Sequence, residues 1–123
     1  MKLHHHINEK LNVIRGYTDT SVTINDEQFT RSIVIQPEQL MRDWSPRTVD
    51  ELDPTSIQSL AKLNTEIILL GTGNKQAFPD QRLLIPCYDR GIGVEIMDTP
   101  AACRTYNLLL EEGRAVTAAL IIG

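Results

Sequence analysis

The chain has 123 residues, 41% hydrophobic and 23% charged, which excludes intrinsic disorder and suits one domain (1–123) that buries a core without metal or disulfide support. Its net charge of −4, with scattered basic residues, excludes a general nucleic-acid binder, whose phosphate contacts need a basic face. Apolar runs such as 67–70 and 94–97 are strand-sized, far short of the roughly 20 residues of a membrane span, and the N-terminus lacks the apolar core of a secretory signal, so the expectation is a cytoplasmic protein.

The first third reads as β. Leu11, Val13, Arg15 and Tyr17 alternate with mostly polar or small neighbours, which predicts a strand. Residues 21–24 alternate, Asn25 and Asp26 make a turn, and 29–35 continues as a third strand, with Arg31 as an edge or bulge. Pro37 closes that run, because proline cannot donate to a ladder. Residues 42–53 read as loop, anchored on the core by Trp44. Asp53 followed by Pro54 starts a helix, with Ile57, Leu60 and Ala61 on its apolar face.

From residue 66 the pattern is β-α-β-α-β. Residues 66–70 are, after Glu66, apolar without alternation, as in a strand covered on both faces, and Gly71, Thr72 and Gly73 end it. A helical segment follows between residues 80 and 90, restarted at Pro86 and terminated by Gly91. Residues 92–97 form the next strand. Thr99 as N-cap, Pro100 at the first helical position and Gly113 after the last turn predict a helix over 99–112. Ala102, Tyr106, Leu109 and Leu110 form its apolar stripe, and Arg104, Asn107 and Glu111 a polar one. Residues 114–122 close the sheet. The fold class is α/β, with three layers around a central mixed sheet and an antiparallel N-terminal hairpin layer.

Short connections put the Gly71, Thr72 and Gly73 loop at the same sheet edge as Asp98 and Thr99. With Arg104 and Asn107 these residues make a candidate anion cleft, because helix N-termini offer free amides and a positive dipole end. The plainer reading is a tight turn needing positive φ at Gly71 and Gly73, an ordinary cap at Thr99 and a solvated Arg104. Gly71 to Gly73 is neither a dinucleotide fingerprint nor a P-loop. Cys103 lies near a helix start, but no histidine is placed to serve as its base, which favours a buried, inert thiol. His4, His5 and His6 have no Cys or acid cluster to complete a metal site, so no metal or cofactor is expected. No catalytic constellation is legible, which favours a binding role over an enzyme using the cleft.

Residues 69–73, Phe78 and Pro79, 91–99, 101–107 and 112–114 with 118–121 resemble a small bacterial and archaeal family of unknown function. Its mitochondrial relative is assembly factor three of respiratory complex I, and an adipogenesis-associated human protein is another. Arg31, Ser32, Arg42, Asp43 and Trp44 also suit the bacterial members. The resemblance implies a three-layer α/β fold and a part in assembling a membrane complex. The partner would be a respiratory-complex or membrane-insertion subunit. It carries no established active site, and the homodimer question stays open.

Overall fold

The computed structural model describes residues 11–123. Strands β1 (Ile14–Tyr17), β2 (Val22–Ile24) and β3 (Glu27–Phe29) form a small antiparallel sheet in that order. The turn between β2 and β3 uses Asn25 at φ +52, a conformation that asparagine tolerates better than most residues. Strands β4 (Ile33–Ile35), β5 (Leu40–Met41), β6 (Ile67–Gly71), β7 (Gly93–Met97) and β8 (Val116–Leu120) form the central sheet in the order β5-β4-β8-β6-β7. β6 runs parallel to both β7 and β8, whereas β4 is antiparallel to β8 and β5 to β4. The sheet is therefore mixed, as expected.

Three helices cover it: α1 (Pro54–Ala61), α2 (Ile85–Asp89) and α3 (Thr99–Glu111). Alternation along the central strands sorts the core. Leu69, Ala118 and Leu120 point to α3 and the small sheet, where they meet Ala102, Tyr106, Ile14, Val22 and Ile24. Ile68, Leu70, Ala119 and Ile121 point the other way, to Ile57, Leu60, Leu84, Cys87 and Trp44. These two buried faces give three layers, with α3 and the small sheet above and α1 and α2 below. Trp44 is buried as predicted, and its Nε1 donates to the Ser56 carbonyl at 3.3 Å. Asp53 caps α1 in a reciprocal capping box with Ser56. Pro86 sits in the first turn of α2, after a 3-10 turn at Gln81–Leu84, and Gly91 leaves it at φ +75.

Four expectations need correction. The run 29–35 is not one strand: β3 ends at Phe29, residues 30–32 cross between the sheets, and β4 begins at Ile33. Ser32 holds that crossing, buried, donating to the Pro46 carbonyl and accepting from the Ile122 amide. β1 begins only at Ile14, which it buries, and a register break between Ile14 and Gly16 lies within it. The stretch 42–53 follows a short strand, β5, and contains a 3-10 turn at Val49–Glu51. Finally, α3 is capped by Asp98, whose side chain accepts from the Ala101 amide at 2.8 Å, so Thr99 is the first helical residue.

Candidate functional site

The parallel strands β6 and β7 end side by side, with Gly71 opposite Met97, and β8 ends next to them, with Leu120 opposite Gly71. That register brings Gly71, Thr72, Gly73, Asp98 and Thr99 together. Direct hydrogen bonds link the loop to the helix start. The Thr99 amide donates to the Gly73 carbonyl at 2.7 Å. The Thr99 hydroxyl accepts from the Gly73 amide at 2.9 Å and donates to the Ile121 carbonyl at 2.8 Å. The Thr72 hydroxyl accepts from the Ala77 amide and meets the Lys75 carbonyl at 2.7 Å. Both threonines are buried.

The glycines differ in role. Gly73 adopts φ +101, a left-handed conformation open to glycine. Gly71 has no positive φ but lies against Thr99. A β-carbon there would stand 3.0 Å from the Thr99 hydroxyl and 3.1 Å from Leu120 Cδ2. Close approach, not turn geometry, demands glycine at 71.

The amides that an anion would need are already engaged. Thr99 donates to Gly73, Pro100 has no N–H, Ala101 donates to the Asp98 carboxylate, and Ala102 donates to the Asp98 carbonyl. Arg104 and Asn107 face elsewhere. Arg104 donates to the Tyr17 hydroxyl at 2.7 Å, not to Asp98. Asn107 accepts from the Ile14 amide at 3.0 Å and donates to the Ile14 carbonyl at 2.7 Å, completing the backbone pairing of β1 where its register breaks. Tyr106 adds a bond from its hydroxyl to the Asn12 carbonyl. Arg104 and Asn107 of the polar stripe, with Tyr106 from the apolar one, thus fasten the N-terminal segment to α3, while Glu111 is exposed. Sequence reasoning missed Tyr17 and Asn12, because their partners lie more than 80 residues away and no local pattern announces them.

Cys103 is buried, and desolvation pushes its thiol up to about 12, with Arg104 pulling weakly the other way. Cys87 is raised by burial too, and both cysteines are free. Neither offers a thiolate at neutral pH. His4, His5 and His6 lie outside the described residues. A depression of about 640 Å³ opens at the opposite end of the sheet, beside Gln36, Lys62, Asn64 and Arg114. Another of about 450 Å³ lies by Arg31, Trp44, Arg47 and Ile122. No described helix is long and apolar enough to cross a membrane.

Residues 14–121 match the family described as proteins of unknown function DUF498/DUF598. Over 110 residues the chain is 34% identical to the rat protein named NADH dehydrogenase [ubiquinone] 1 alpha subcomplex assembly factor 3, covering 88% of this chain and 59% of that one. The chain thus spans about three fifths of the length of that relative. It is 30% identical over 109 residues to a protein of Francisella tularensis named 13 kDa major membrane protein, covering 87% of this chain and 88% of that one. A crystal structure of a protein from Bordetella parapertussis superposes with a TM-score of 0.85 at 34% identity, over 92% of this chain and 97% of that one.

Proposed function

The chain belongs to the family of proteins of unknown function DUF498/DUF598, and from that premise we propose that it is a non-catalytic binding module assisting assembly of a membrane-bound NADH dehydrogenase-type complex. The observation that carries the reading is the identity of 34% over 110 residues with a relative named as an assembly factor for such an enzyme. The chemistry of the fold supports it. The residues that look most like a ligand site, Gly71, Thr72, Gly73, Asp98 and Thr99, use their amides and hydroxyls to hold three strand ends and a helix together. A module of this kind works through its surface, and Phe78, Ile85 and Tyr88, all in the β6–β7 connection, are exposed large apolar side chains.

The module acts from the cytoplasm on membrane-bound subunits or on the machinery that inserts them. Attachment through such a partner also fits a relative named as a membrane protein. The test is deletion of the gene in its own host, followed by native electrophoresis of solubilised membranes. The reading expects less mature NADH dehydrogenase and accumulated partial assemblies, restored by the wild-type gene. Unchanged levels of the mature complex would overturn it.

A further inference from the structure

β7 is the outer strand of the central sheet and pairs with β6 alone among the described residues. Along a strand each residue directs its N–H and C=O to one side, and successive residues alternate. Gly93 donates to the Glu66 carbonyl, and the Met97 carbonyl accepts from Thr72, so Gly93, Glu95 and Met97 turn their backbone groups to β6. Val94 and Ile96 turn theirs outward. The side chain of Gln76 agrees with this parity: its Nε2 donates to the Ile96 carbonyl at 3.0 Å. The Val94 N–H and C=O and the Ile96 N–H have no partner among the described residues.

The two faces of this edge differ. Val94 and Ile96 pack with Cys87 and Ile92 beneath α2. Glu95, between them in sequence, is exposed on the other face. A second copy pairing antiparallel through β7 would match Val94 with Ile96 and place Glu95 directly opposite Glu95. Facing like charges at a close cross-strand position oppose that pairing, and charge on an edge is a common guard against self-association. An opposite charge there would favour it.

We propose that β7 is a docking edge that accepts an extended, antiparallel segment of a partner protein carrying a lysine or arginine opposite Glu95. The segment adds a sixth strand, with backbone bonds to Val94 and Ile96 supplying affinity and the Glu95 pair supplying register. Gln76 yields the Ile96 carbonyl to the incoming strand. The identity of that partner as an assembly client rests on the proposed function, but the edge itself is testable without it.

The probe is the same chain carrying Glu95→Lys, mixed in equal amounts with the wild type. Sedimentation should show the mixture moving towards twice the mass of either protein alone. Amide exchange in the mixture should slow at Val94 and Ile96 by roughly tenfold or more, with Gly93 and Glu95 little changed. Adding Val94→Pro to the probe removes an outward donor without touching the β6 ladder, and it should abolish the effect. A mixture that sediments like its components would overturn the proposal. So would the wild type alone doubling in mass with the same two amides protected, which would assign the edge to a second copy. Pairing in the mixture combined with normal NADH dehydrogenase in the deletion strain would keep the edge and refute the assembly role.

Discussion

At Thr99 one hydroxyl accepts from Gly73 and donates to Ile121, inside the protein and away from water. Thr99→Val keeps the shape and leaves both backbone groups unpaired, a loss of about 1–3 kcal/mol. Urea denaturation should show that loss, and Thr99→Ser should recover much of it; a Val variant as stable as the wild type would contradict the assignment. Gly71→Ala forces a methyl against the Thr99 hydroxyl and Leu120, and overpacking of this kind costs about 1–3 kcal/mol. Cys103 makes a prediction with a definite sign. The unfolded thiol loses its proton near its ordinary value of 9.0, but the folded thiol holds it to about 12 because it is buried. The proton stays longer on the folded state, so stability present below pH 9 falls as pH rises through that window. The urea midpoint should drop between pH 8 and pH 10, and Cys103→Ala should lessen the drop. A midpoint that rose with pH would contradict the burial of this thiol.

The small sheet reaches α3 through Asn107, Tyr106 and Arg104, and Asn107 fits Ile14 from both sides of its backbone. Asn107→Leu should cost about 1–3 kcal/mol through the unpaired groups at Ile14, and exchange of the Ile14 amide should quicken more than that of β6 amides. Equal protection in the two sheets would deny Asn107 this role. The helices were legible because their signals are local: Asp53 with Pro54, Pro86, and Pro100 with Gly113 each mark an end within a few residues. The parallel strands were legible because burial on both faces leaves a plain apolar run at 67–70. The break between β3 and β4 was not, because alternation reports which side chains turn inward and not which sheet they join. The cap of α3 was misplaced by one residue because Asp98 and Thr99 are both good caps. The Thr99 hydroxyl instead bonds Gly73 and Ile121, just beyond the ends of β6 and β8, a tertiary role that no local spacing reveals.

For the molecule as a whole, the sequence located the right strand ends but could not say whether a cleft or a seam lies between them. Register decides that: Gly71 opposite Leu120 and Met97 brings the loop and the helix start into direct hydrogen bonding. The β7 edge, the exposed apolar residues of the β6–β7 connection and the depressions beside Arg114 and Trp44 are open to other molecules. The assembly reading is tested most directly by following this chain in membranes resolved first by native and then by denaturing electrophoresis, while new NADH dehydrogenase is being made. The chain should migrate with partial assemblies and be absent from the mature enzyme. A chain that never migrates with any such intermediate, or that stays in the finished complex, would contradict it.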